Sequence, residues 1–246
     1  MKRGFTLAEV LITLGIIGVV AAVTMPTLIQ KQNEKATVTA LKKFYSTISQ
    51  AYLMAKEEYG TPDMWFNGEQ GGTVEGADVL SEKFTKYMKV TKNCHGDIGC
   101  FPDVVYKGID GKEINNRNRA TETISKMLTA EGWSVYFFSY SGATPLYMGK
   151  GVLEKVYGQI NVDINGFKNP NVIGKDLFQF YICENGIIPT GSQMQSAYSG
   201  SFPASCNTTS CRDGWCFGCA SWIIYNGNMD YLHCDDLNWN GKTKCK

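Results

Sequence analysis

Histidine is nearly absent from this chain: there are two in 246 residues, His95 and His233, each beside a cysteine. No catalytic frame surrounds either one, so both read as loop residues rather than acid–base groups. A nucleophile elbow, a Gly-rich phosphate loop and a helical metal motif are also missing, and the sequence is therefore expected to be non-enzymatic. Excess charge is lacking too. Twenty-four Lys and Arg stand against 23 Asp and Glu, a formal charge of +1, which removes the general electrostatic case for a nucleic-acid partner. Lys83, Lys86, Lys89 and Lys92 recur at helical spacing beside Tyr87, and Arg117 and Arg119 lie in a polar loop. Such a run is ordinarily a solvated face.

Two further absences are local. From Phe5 to Pro26 the only ionisable side chain is Glu9, while Lys2 and Arg3 precede the run and Lys31 is the next charge after it. An apolar run of this length spans a hydrocarbon core of about 30 Å as a helix, and an acid inside such a segment is costly enough to point to function. Lys2 and Arg3 keep the short N-terminus in the cytoplasm. A secretory signal peptide cleaved near Ala21-Ala22-Val23 is the plainer reading of the run, and a simple signal anchor another. Neither accounts for Glu9.

The residues Lys2-Arg3-Gly4 followed by Phe5-Thr6-Leu7-Ala8-Glu9 and the apolar run to Ala21 resemble the N-terminal signal of type IV pilins and of the pseudopilins of type II secretion. Gly18 and Pro26 match positions where pilin helices carry a glycine and a proline. The resemblance covers roughly the first sixty residues and implies several things. A prepilin peptidase cuts between Gly4 and Phe5, the new Phe5 amine is N-methylated, and the apolar helix is retained. Residues 1–4 are then a leader, 5–26 the transmembrane and assembly half of a helix, 27–60 its amphipathic half, and 61–246 an extracytoplasmic globular domain. The implied partners are other pilins or pseudopilins in a homo- or hetero-polymeric filament, the peptidase, and an inner-membrane assembly platform and motor. The implied location is the bacterial inner membrane, single-pass, and then a periplasmic or cell-surface filament.

The chemistry of Glu9 and Phe5 stands beside the resemblance. A new amine at Phe5 is positively charged at neutral pH, and Glu9 lies one helical turn away. In low dielectric the two charges need each other, within one helix or between neighbours.

Beyond Pro26, Leu41, Phe44, Tyr45, Ile48, Ala51, Tyr52 and Ala55 recur at three- and four-residue spacing, one apolar helical face that ends at Gly60-Thr61-Pro62. Phe5 to Tyr59 thus reads as one helix of about 80 Å, which Pro26 should bend or locally melt. Residues 63–74 read as a loop, 77–90 and 121–131 as short helices, and 133–140, 156–164, 178–183 and 221–225 as strands. The fold class is α+β, pilin-like: a long N-terminal α-helix packed on an antiparallel β-sheet with a disulfide-rich C-terminal region.

Cysteine is missing before Cys94, and all nine lie from there onward, an asymmetry that places the domain in an oxidising compartment. Cys94 with Cys100 and Cys234 with Cys245 are natural local bridges. The pairing of Cys183, Cys206, Cys211, Cys216 and Cys219 is open, and the odd count leaves one thiol over. Cys206, Cys211, Cys216 and Cys219 have a zinc alternative, and Cys216-Phe217-Gly218-Cys219 a redox one. Asp163, Asn165 and Asp176 gather hard oxygens around glycine and proline turns, a candidate calcium loop of the kind some pseudopilins carry, although only two carboxylates are present and the EF-hand spacing is absent. No other cofactor is expected. A competing class is a membrane-anchored binding or adhesion module that does not polymerise, its disulfide-rich end presenting Trp215, Phe217, Trp222, Tyr225, Tyr231 and Trp239.

Overall fold

The computed structural model describes residues 6–66, 68, 71–114, 120–195, 200–211 and 215–245. Helix α1 runs Leu7–Tyr59. Pro26 lies inside it without ending it. The chain divides into two compact units, Met1–Ala36 and Thr37–Lys246.

In the first unit the apolar side chains of α1 have nothing to pack on: Leu11, Ile12, Leu14, Ile16, Ile17, Val19 and Val23 are all more than half exposed. Among the described residues α1 is the one helix long and apolar enough to cross a membrane.

In the second unit the amphipathic face is core. Leu41, Phe44, Ile48, Ala51, Tyr52 and Ala55 are buried. They meet one face of a sheet built from β1 (Val90–His95), β2 (Tyr106–Gly108), β3 (Glu113–Ile114), β4 (Ile124–Thr129), β5 (Ser134–Ser139), β6 (Val156–Asp163), β7 (Val172–Ile173), β8 (Leu177–Cys183) and β9 (Gly186–Pro189). The order is β1-β4-β5-β6-β8-β7-β2-β3, with β9 also on β8. Pairing is antiparallel from β1 through β8 and at β9, as expected, but β7 runs parallel to both β8 and β2, so the sheet is mixed.

Each face of the sheet has its own cover. Met127, Val135, Ile160, Val162 and Phe180 pack toward α1 and toward α2 (Val74–Thr85). The opposite face carries Tyr136 and Leu177 beneath Phe101, Tyr106, Phe217 and the sulfurs of Cys94, Cys100, Cys211 and Cys216. Burial on both faces is why β8 reads as an almost unbroken apolar run.

Three elements differ from the sequence expectation. Residues 121–131 hold strand β4 rather than a helix. Ile124, Met127 and Leu128 mimic a helical stripe and Ser125 and Lys126 a polar face, yet both polar residues are fully buried. The Ser125 and Ser81 hydroxyls lie 3.0 Å apart, and β1 and β5 hold the backbone on either side. Residues 221–225, expected as a strand, belong to helix α3 (Ala220–Asn226), which is closed by Gly227 at φ +67° in the left-handed conformation. Helix α2 begins at Val74 and ends at Thr85, earlier than the expected 77–90, because the Thr73 hydroxyl accepts the Gly76 N–H at its start and Val90 opens β1. Lys89 and Lys92 therefore leave the helix, and the basic stripe breaks up. Lys83 sits 4.3 Å over the Tyr59 ring, and Lys86 pairs with Glu58. Arg117 and Arg119 lie outside the described residues.

Candidate functional site

The N-terminal site starts at Thr6, since Gly4 and Phe5 lie outside the described residues. The Thr6 backbone N–H and hydroxyl both donate to Glu9 Oε2, each at 2.8 Å, and the Glu9 N–H donates back to Thr6 Oγ1 at 3.3 Å. This is a capping box, Thr6 at the N-cap and Glu9 three residues on, which satisfies amides that the first helical turn leaves without partners. Thr6 was absent from the expected site residues, although Thr-x-x-Glu ahead of an apolar run is its sequence signature. Farther along, the hydroxyls of Thr13 and Thr24 donate to the carbonyls of Val10 and Val20, so the polar groups of the apolar half are satisfied within the helix. Gly18 has open space around its α-carbon and sits on an exposed surface, a place where a second helix can approach closely.

Residues 1–25 match the family model of the prokaryotic N-terminal methylation motif. This is the prepilin-type cleavage and methylation signal of type IV pilins and pseudopilins. This signal supports a pilin- or pseudopilin-like substrate of a prepilin peptidase and, with the exposed apolar helix behind it, fits a membrane-anchored single-pass protein. Residues 27–99 match a second model, described as a family of unknown function (DUF6613). No curated protein and no solved structure matches the chain.

Four disulfides form among the described residues. Cys94–Cys100 and Cys234–Cys245 are the two local bridges expected, and Cys206–Cys219 and Cys211–Cys216 complete the set. Both alternatives for the C-terminal cysteines fall on this pairing. Cys216 and Cys219 belong to different bridges, so no redox pair exists between them, and no zinc thiolate remains in the quartet. The Asp110 carboxylate does lie beside Cys211 and Cys216, but those sulfurs are bonded to each other. Cys183 is the thiol left over, buried at the end of β8, and burial pushes its pKa up to about 12. In native protein at pH 8 it is expected to resist a maleimide. Denaturation without reductant should release one reactive thiol, and prompt labelling of the native chain would refute this placement.

The aromatic C-terminal end is mostly packing. Phe202 and Trp222 stack at 4.2 Å, and Trp239 lies 5.2 Å from Trp222 and 5.6 Å from Phe202. Of the six aromatics that recommended this end as a binding surface, only Trp215 and Tyr225 are substantially exposed.

The structure does bring Asp163, Asn165 and Asp176 together. Asp163 Oδ1 accepts the N–H groups of Asn165 (3.1 Å) and Gly166 (2.9 Å), and its Oδ2 accepts the Tyr106 hydroxyl. Asp176 Oδ1 accepts the Val172 N–H at 2.7 Å and Oδ2 the Asn165 side-chain amide at 3.3 Å. All four carboxylate oxygens thus face hydrogen-bond donors. Calcium requires six to eight oxygens turned toward it, and this donor set does not fit one.

Proposed function

We propose that this chain is a structural subunit of a type IV pilus-like or type II secretion pseudopilus-like filament, cleaved between Gly4 and Phe5, methylated on Phe5 and assembled through its N-terminal helix without enzymatic activity of its own. The observation that carries the reading is the methylation motif over residues 1–25, standing directly on an apolar helix whose side chains find no cover within the chain. The Thr6–Glu9 capping box adds to it. All of its bonds lie downstream of the Gly4–Phe5 peptide, so cleavage there leaves the helix start intact while creating a cation one turn from Glu9.

Polymerisation follows from burial. In the inner membrane the exposed residues of α1 rest in lipid; in the filament neighbouring helices replace the lipid, and close approach at small residues such as Gly18 supplies the contact. The Phe5 amine of one subunit and Glu9 of another set the axial register, because either charge alone in that interior is unfavourable. The disulfide-braced domain stays extracytoplasmic, where its bridges are stable.

Intact mass and N-terminal sequencing of the protein from its native membrane, with and without the prepilin peptidase, test the reading. The expected result is a peptidase-dependent start at methylated Phe5. Retention of Met1 to Gly4, or a start near Ala22, would remove the filament and leave an anchored or exported domain.

A further inference from the structure

An asparagine followed by glycine is chemically labile, because with no Cβ on the second residue its backbone nitrogen can reach the asparagine's own side-chain carbonyl carbon. The chain has five such steps, at Asn67, Asn165, Asn185, Asn226 and Asn240. Asn67 lies outside the described residues. The sequence does not rank the other four, but the structure does.

Three of them are held. The Gly166 N–H donates to Asp163 Oδ1 at 2.9 Å, and the Asn165 side-chain amide is tied to Asp176 and to the Pro170 carbonyl. Gly186 pairs with Cys183 at the start of β9, and Asn185 Oδ1 accepts Lys56 Nζ at 3.1 Å. The Gly227 N–H donates to the Ile223 carbonyl at 2.9 Å as it closes α3, and Asn226 Nδ2 is buried. A nitrogen whose proton is bonded in place keeps that proton, and a fixed backbone keeps it from the side chain.

Asn240 differs on each count. Asn240 and Gly241 are exposed, in a turn inside the Cys234–Cys245 bridge. The turn is held from outside the step: the Asn238 N–H donates to the Lys242 carbonyl at 3.1 Å, and the Asn240 backbone N–H donates to Asn238 Oδ1 at 3.1 Å. Between these clamps the Asn240 side-chain amide and the Gly241 N–H make no hydrogen bond among the described residues.

We propose that Asn240 is a self-modification site, at which the folded chain converts asparagine to aspartate and isoaspartate while Asn165, Asn185 and Asn226 are protected.

The reaction needs only water. Base takes the Gly241 amide proton, the nitrogen bonds to Asn240 Cγ, and the side-chain nitrogen leaves as ammonia with a proton from water. Water then opens the cyclic imide at one carbonyl carbon or the other, to aspartate or to isoaspartate; nothing is oxidised or reduced. Within the bridged loop Asp235 and Asp236 balance Lys242 and Lys244, so either product gives it a net negative charge. Isoaspartate also lengthens the backbone beside Trp239, which packs on Trp222 and Phe202. The aromatic end thereby acquires a one-way change of charge and shape.

Peptide mapping by mass spectrometry, after prolonged incubation of the full chain in detergent micelles at mildly alkaline pH, tests this. The native chain is expected to gain acid at Asn240 and to keep the amides of Asn165, Asn185 and Asn226, whereas a chain reduced and denatured before incubation should convert all four. Asn240→Gln should abolish the acidic shift of the native chain in isoelectric focusing, and Asn240→Asp should show that shift from the outset. An Asn240 that stays an amide in the native chain while converting in the denatured one, or conversion of Asn165, Asn185 or Asn226 ahead of it in the native chain, would overturn the site.

Discussion

Glu9→Leu is expected to yield protein that is inserted and cut after its leader but is absent from filaments. In the proposed filament, removing the carboxylate strands a neighbour's Phe5 ammonium in an apolar interior, and breaking a buried pair in this way costs about 3–5 kcal/mol at each contact. The penalty repeats along the polymer, so the sheared filament fraction should fall below detection while the membrane fraction keeps mature-length protein. Glu9 has a second task, the capping box with Thr6, and Glu9→Gln separates the two. A glutamine can still reach back to the Thr6 N–H, so a Gln variant that fails to assemble assigns the defect to the missing charge. Normal assembly of the Gln variant would reduce Glu9 to a helix cap, and normal assembly of the Leu variant would remove it from the mechanism altogether.

The largest expected loss of stability comes from Phe44→Ala. Phe44 is fully buried on α1, 5.4 Å from Trp133 in an edge-to-face contact and 5.6 Å from Phe180 of β8. Truncation opens a cavity between helix and sheet whose walls are large aromatic rings with little freedom to collapse. The cost is about 3–5 kcal/mol, a large fraction of the 5–15 kcal/mol typical of a whole domain. Denaturant unfolding of the full chain in mild detergent, followed by tryptophan fluorescence, should show the midpoint fall with the slope unchanged. A shift corresponding to less than about 1 kcal/mol would mean that the Leu41 to Ala55 stripe is not the joint between helix and sheet.

The N-terminal helix of the protein was legible because its signals are local. An apolar run with one acid needs only composition to be recognised, and the stripe from Leu41 to Ala55 needs only the helical period; both survive in the structure with the expected residues buried or exposed. The same local logic misread residues 121–131 and 221–225. Ser125 and Lys126 look like surface, but the strands that flank them and the helix that meets Ser125 come from other stretches of the chain. In 221–225 an aromatic and β-branched run suits a strand, and it is the Cys206–Cys219 bridge at the helix start and the left-handed Gly227 at its end that hold it as a helix. Cys94–Cys100 and Cys234–Cys245 were readable as short loops with nothing between their cysteines to pair instead, whereas the choice among Cys183, Cys206, Cys211, Cys216 and Cys219 depends on which backbones approach.

What the sequence by itself determined is the prepilin-type signal and the character of the helix behind it. The methylation motif, the lone acid of the apolar run, the helical period and the late onset of cysteine are properties of neighbours along the chain, and neighbours along the chain fix them. What only tertiary structure decided is the environment of its polar groups. Whether Asp163 and Asp176 meet a cation or a row of N–H and O–H donors, and whether Cys183 is reactive or sealed, turns on groups many residues distant. Burial and like-charge proximity are properties of space, and the sequence does not display them.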